Sequence, residues 1–501
     1  MTGAVTQLRA LMMLRWQMAR TPGLRLGIVL AALALGWLLT LVLGSADALD
    51  GPTLATATEL APAAYLGFGA LAVIAPLTAG GGNEVVPPDQ LVGFPVRPST
   101  QFFGGLLLAP LNLVWVVQLL VLAALTTYLT IDGNLLRGGL TTAAYVAGLT
   151  VFGQALAWGV VGARQTQRGR RLVGSAGIAL LLAAVLIVRT GRGDAVLDAS
   201  PTRSVVGGVI AGGDGHLVRW GVTTAVLLLA TAAALAVGAR TCAWALRRPG
   251  DAGHNRHTEP VRRRPAKAGA LRELVAVDRA SVWRAPALRR GGLVLAILPG
   301  LIAAGTAVPW ESMIVLPGLV AAGAGLLFGV NAFCLDGSGA VWVASLPHDP
   351  RLVARAKAIV LAETVLAAVV VAALAGSMRS PGTPTATQLT AIVASGLACT
   401  AVVVAGALKM SVRRPHRADL RGPRDAVAPP GALALASARL ALPTAFIGIL
   451  LGSASHAGIW WWPPLLAVPI VLLATLSVLR SLRRYADPFM RARIVQVVAQ
   501  G

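Results

Sequence analysis

Acidic side chains are scarce in this sequence. Only 20 Asp and Glu stand against 43 Lys and Arg, and charged residues of all kinds make up 13% of its 501 residues. That share is about half of what a soluble domain carries, so water is not the solvent of most of the chain. Cysteine is nearly absent too: Cys242, Cys334 and Cys399 lie in or beside apolar segments without CxxC spacing. Neither a disulfide framework nor a zinc site is supported, and the three read as small packing residues. The six histidines, His216, His254, His257, His348, His416 and His456, are scattered and read as solvated loop residues. No GxxxxGK[ST] loop occurs, so P-loop binding and hydrolysis of ATP by this chain are excluded, and there is no HExxH or GxSxG. The sequence therefore predicts no catalytic residue, no cofactor and no metal.

What is abundant is apolar. Hydrophobic residues reach 56%, and they fall into about twelve runs, each near the roughly 20 residues that a helix needs to cross about 30 Å of hydrocarbon. The first six runs are Leu24–Leu43, Ala61–Ala79, Phe103–Leu129, Leu140–Val161, Leu172–Val188 and Val218–Ala239. The second six are Gly292–Val308, Met313–Leu335, Ala356–Leu374, Leu389–Leu408, Leu440–Ala454 and Ile459–Leu479. The last two are the weakest, because Pro443, Pro463, Pro464 and Pro469 can kink or shorten a helix. The first run exceeds the about 7 to 15 residues of a signal-peptide core and reads as an uncleaved span.

The net charge of +23 would suggest nucleic acid in a soluble protein. Here the arginines cluster in short segments between apolar runs, which is how topology is encoded and gives no reason to expect nucleic acid. Arg9, Arg15 and Arg20, then Arg164, Arg168, Arg170 and Arg171, then Arg413, Arg414, Arg417 and Arg421, then Arg480, Arg483 and Arg484 all fall on one side. Asp47, Asp50 and Glu59 fall on the other, with no basic residue between them. The positive-inside rule then predicts a bacterial inner-membrane protein with both termini in the cytoplasm. Residues 1–240 form a first six-helix half, 241–265 a basic cytoplasmic linker attracted to anionic membrane lipids, and 266–501 a second half.

The halves repeat each other. LRALMMLRWQMARTPGLR, from Leu8 to Arg25, and LRELVAVDRASVWRAPALRR, from Leu271 to Arg290, both begin Leu-Arg, carry a Trp and reach Arg-x-Pro just before a span. Each reads as an amphipathic surface helix broken by proline. After the second span of each half come NEVVPPDQLVGFPVRPS (Asn83–Ser99) and LDGSGAVWVASLPHDPR (Leu335–Arg351). Aligning Pro95 with Pro347 also aligns Pro98 with Pro350 and Glu84 with Asp336. Two such matches in the same order imply duplication. Six spans per half make the repeats parallel, so the predicted fold is all-α and polytopic, with a pathway between the halves.

Polar groups inside the spans are few. Glu363 is the clearest: it reads either as a substrate contact or proton relay, or as half of an ion pair with Lys357 or a neighbouring helix, and the pair is favoured. Asn112, Gln118, Gln154 and Asn331 read as interhelical bonds or pathway lining. So few embedded acids argue against an ion-coupled secondary transporter. The longest outer loop, from Arg189 to Leu217, holds Asp194, Asp198, Asp214 and His216. These leave open a membrane enzyme acting on a lipid-linked substrate, although no compact motif gathers them.

The surface helix before each first span, together with FGVNAFCLDGSGAVWVASLPHDPRLVARAKAIVLAE (Phe328–Glu363) and GGNEVVPPDQLVGFPVRPSTQF (Gly81–Phe102), resembles the permease subunits of type-2 ATP-binding cassette exporters, which are widespread in actinobacteria. The heavy use of Ala, Gly and Arg over Lys suits such an origin. The likeness spans nearly the whole chain and is strongest in the second half, since the first lacks the Asp-x-x-Gly pattern. It implies elbow helices, short coupling helices, and a separate ATPase subunit docked at Glu84, Asp89, Phe94 and Pro95 and at Asp336, Gly339, Trp342 and Pro347. It implies export of an unidentified amphipathic small molecule, lipid or peptide, antibiotic efflux being one such role.

Overall fold

The computed structural model describes residues 6–7, 9, 13, 40, 58, 61–70, 72–73, 96–108, 113–130, 133–247, 269–416 and 430–499. All regular elements among the described residues are helical, and nine stretches are long and apolar enough to cross a membrane. A helix satisfies its own backbone polar groups, which is what hydrocarbon demands of any spanning segment. The chain is an all-α, multi-pass membrane protein. The expected first span, Leu24–Leu43, lies outside the described residues apart from Thr40, and residues 14–25 and 83–95 of the two first-half repeat segments lie outside them too.

The chain divides into two compact units, one of residues 1–77, 83–182 and 192–254, the other of residues 78–82, 183–191 and 255–501. In the first unit the helices Leu135–Ala163 and Leu217–Arg247 pack along their length. Their partners are residues 61–70, Pro98–Leu108 and Leu113–Leu129. Tyr65, Phe68, Leu122, Tyr145 and Val209 fill the core. Polar groups buried there find each other. The Tyr65 hydroxyl lies 2.7 Å from Thr142 Oγ1 and 3.1 Å from Thr126 Oγ1, and Tyr145 donates to the Tyr65 carbonyl at 2.6 Å.

The expected outer loop between Arg189 and Leu217 is instead two helices, Gly193–Ala199 and Pro201–Gly213. Val205, Val206 and Val209 of the second are buried in the core. Its glycines serve close packing rather than a loop: a Cβ on Gly208 would lie 2.6 Å from Thr223 Cγ2 on the Leu217–Arg247 helix. The Leu217–Arg247 helix continues past Arg240, into the segment read as linker.

The second unit holds the spans Pro286–Gly305, Pro350–Ser377, Ala386–Arg413, Pro430–Ser455 and Trp462–Ala486. Prolines do not cut the last two short. Pro443 and Pro469 lie inside them, while Pro463 sits in a first turn where a missing N–H costs little. The expected span Met313–Leu335 is composite: Trp310–Met313, Leu316–Ala324, a π-turn at Gly325–Gly329 and a 3-10 turn at Cys334–Asp336. A neighbouring serine satisfies the backbone groups that this opening frees. Ser411 Oγ donates to the Gly329 carbonyl at 2.7 Å and accepts from the Ala332 amide at 3.0 Å.

Candidate functional site

One end of the second unit brings together a cluster of ion pairs and a short exposed helix. The Ala270–Arg284 helix stops at Ala285, whose extended backbone is what a residue before proline adopts, and Pro286 opens the next span. Its apolar stripe, Leu271, Leu274, Val275 and Val282, packs on Ala356, Ile359 and Val360 of the Pro350–Ser377 helix. The register brings Asp278 over Lys357. Lys357 Nζ donates to Asp278 Oδ1 at 2.5 Å and to Asp336 Oδ1 at 2.6 Å. The Lys357 and Asp278 side chains are 5% and 8% exposed, so the ammonium is shared by two carboxylates in a region with little water. Burial raises the Asp278 carboxyl above its ordinary range, and the Lys357 charge pulls it back down.

The next residue on the Ala270–Arg284 helix takes another acid. Arg279 Nε and Nη2 reach Glu363 Oε2 and Oε1 at 2.7 and 2.5 Å. The Glu363–Lys357 pair does not form. Six residues apart on one helix, the two side chains point in different directions, since only residues three or four apart are neighbours on a helix surface.

Asp336 ends the composite span. Gly337 follows with φ +48°, a backbone conformation suited to glycine, and breaks the chain away from the helix axis. A seven-residue helix, Gly339–Ser345, comes next, and Asp349 caps the following span by accepting from the Arg351 amide at 2.9 Å. Ala340 is buried on the inner face of the short helix, while Trp342 is 76% exposed with Val341 and Leu346 exposed beside it. Pro347 stands exposed in the turn. Phe333, just before Asp336, stacks on Tyr485 at the end of the last span, with centroids 4.8 Å apart and planes within 3°.

Of the residues singled out in the sequence, Asp336, Gly339, Trp342 and Pro347 therefore lie on one continuous segment. Glu84, Asp89, Phe94, Pro95 and Asn112 lie outside the described residues. Gln118 is on the Leu113–Leu129 helix. Asn331 is buried, and its Nδ2 donates to the His416 carbonyl at 2.6 Å. In the first unit, Asp198 pairs with Arg203 and stays exposed. Among the described residues no group of three His, Cys, Asp or Glu is placed to hold a metal ion. Sequence reasoning missed Asp278 and the C-terminal helix Pro488–Ala499.

No protein-family model matches this chain, and no curated protein or solved structure matches it. The fold and the cluster define a class only: a multi-pass helical membrane protein with a charge-anchored surface helix at one end of its second unit.

Proposed function

We propose that this chain is the transmembrane permease subunit of an ATP-binding cassette exporter, with ATP hydrolysed on a separate subunit. The observation that carries the reading is the Gly339–Ser345 helix, tied through Asp336 to Lys357 and turning Trp342 outward. Seven residues do not hold a helix in water unaided. A fold that fixes so short a helix and directs a tryptophan away from its own core is presenting a contact, and exposed aromatics are the side chains that anchor protein partners.

In this reading the short helix and both termini face the cytoplasm of a bacterial inner membrane. The segment carrying Glu84, Asp89, Phe94 and Pro95 gives the second docking point, and two parallel six-helix repeats form the pathway. The cargo is an amphipathic small molecule, lipid or peptide. An ion-coupled carrier is the second reading, favoured by the buried titratable pair Lys357 and Asp278 with the partly buried Asp336 beside it.

The test is purification of the tagged chain in mild detergent, with its neighbouring genes co-expressed, followed by mass spectrometry and an ATPase assay. A stoichiometric P-loop ATPase is expected with the unaltered chain and is lost from Trp342→Asp and Asp336→Lys, both still inserted in the membrane. Retention of the ATPase by both variants removes the docking site. Absence of any ATPase from the unaltered chain removes the permease reading and leaves the carrier.

A further inference from the structure

We propose that the C-terminal helix Pro488–Ala499 is a positioning element for the Gly339–Ser345 helix, holding its inner face against the last span. Load applied at Trp342 would then reach the Trp462–Ala486 and Pro350–Ser377 helices together. The inference rests on the docking reading for its purpose, although not for its geometry.

Twelve residues are too few to span a membrane. The helix is instead two-faced at helical spacing. Ile494 and Val498, one turn apart, are buried, with Met490 and Val495 packed beside them, whereas Phe489, Arg493 and Gln496 are exposed. The apolar cluster that Ile494 and Val498 join also contains Ala340 of the short helix, Phe333 and Tyr485, with Val343 packed against it. A narrow crevice lined by Val343, Leu346, His348, Tyr485 and Arg491 marks the seam between the two helices.

The corner that brings the C-terminal helix there is fixed. Asp487 has an extended backbone and precedes Pro488, and its Oδ1 accepts from the Met490 amide at 3.0 Å. The short helix is thus held at two places, by the Asp336–Lys357 ion pair at its N-terminal end and by the C-terminal helix along its inner face. Without the second, Ala340 and Val343 lose the part of their cover that Ile494 and Val498 supply, and the short helix is restrained by the ion pair and by what remains of the cluster at Phe333 and Tyr485.

Ala340→Cys places a thiol on the covered face, and the native Cys399, fully buried in the same unit, reports on the fold. The full-length chain in nanodiscs is compared with Ile494→Ala/Val498→Ala and with a chain ending at Asp487, using maleimide labelling resolved by peptide mass spectrometry. Labelling at position 340 is expected to quicken roughly tenfold or more in both variants, because lost aliphatic contacts shift a local opening equilibrium. Cys399 stays protected, and the ATPase retained per chain falls although Trp342 is intact.

Unchanged labelling at position 340 overturns the proposal, and so does an equal rise at Cys399 in both variants, which would mean that the helix serves the whole unit. The labelling needs no partner. If position 340 opens as expected but the unaltered chain brings no ATPase, only the docking reading fails. If position 340 does not respond while Trp342→Asp still strips the ATPase, only the positioning role fails.

Discussion

Lys357 is the residue on which the energetics of the cluster turn. Its ammonium serves two carboxylates, so removing it leaves Asp278 buried without a cation. Breaking a buried pair in this way costs about 3–5 kcal/mol. Asp336→Asn should cost less, because that side chain is 23% exposed and its loss leaves the Lys357–Asp278 pair intact. The expected outcome is a larger fall in thermal unfolding temperature, measured in detergent, for Lys357→Met than for Asp336→Asn; equal shifts would show the cluster to be solvent-screened. A pH dependence follows from the burial that raises the Asp278 carboxyl. A carboxyl raised on folding binds its proton more tightly in the folded state, so its stabilising contribution is full below its unfolded pKa and lost as pH rises through the folded value. Lys357→Met should therefore recover part of its lost stability as pH falls from about 7 to about 5, and a loss identical at both pH values would assign the damage to packing alone. This cluster was partly legible in the sequence. Leu271, Leu274, Val275, Asp278 and Val282 share one helical face, so an acid stands in an apolar stripe and requires a cation. Which cation it finds is a tertiary fact, set by how two residues 79 positions apart in the sequence come to lie together.

Helices in the second unit approach one another through small residues, as membrane helices do where the hydrophobic effect does not drive their association. At Gly300 the Pro286–Gly305 helix meets Pro350–Ser377 so closely that a Cβ would lie 2.4 Å from the Ala372 carbonyl oxygen and 2.7 Å from Ala375 Cβ. Backbone cannot step aside as a flexible side chain can. Gly300→Leu should lower stability by about 1–3 kcal/mol or more through overpacking. Gly159→Ala, near the C-terminal end of Leu135–Ala163 with nothing within 4 Å of its new Cβ, should raise it by up to about 1 kcal/mol. Thermal melts of the two variants check the contrast, and similar effects would refute the close approach. Element existence was readable from apolar run length, because a span must be long and continuous in hydrophobicity. Element integrity was not. The run Met313–Leu335 gives no sign in its hydropathy of the π-turn at Gly325–Gly329, which depends on Ser411 from another helix. Conversely, prolines 443 and 469 warned of breaks that packing overrides. The last span runs on to Ala486 because Arg483 and Arg484 in its final turn suit the negative end of the helix dipole.

Across the whole second unit the two ends differ in chemistry, and the difference bears on orientation. The end with the Lys357 cluster carries Arg483 and Arg484 on the last turn of the final span. At the other end of the same helices, Trp460 and Trp461 are exposed beside Trp462, Trp310 Nε1 donates to the Gly382 carbonyl at 3.1 Å, and Thr390 Oγ1 donates to the Trp460 carbonyl at 2.7 Å. Tryptophans with a polar edge and an apolar body favour the headgroup zone, and arginines favour the cytoplasmic side. Charge bias along the sequence carried the same message, since it is a property of composition between spans and needs no tertiary contact. In the proposed orientation, Thr383→Cys, in the exposed turn beside Gly382, reacts with a membrane-impermeant maleimide in intact cells. Ser345→Cys, on the short helix, reacts only after permeabilisation. The buried native cysteines contribute little background. The reverse pattern would put the Trp342 surface outside, where no ATP-hydrolysing partner could reach it, and would overturn the orientation and the docking site together. Reaction of both cysteines in intact cells would mean that the two turns share a side, which is incompatible with Pro350–Ser377 crossing the bilayer between them.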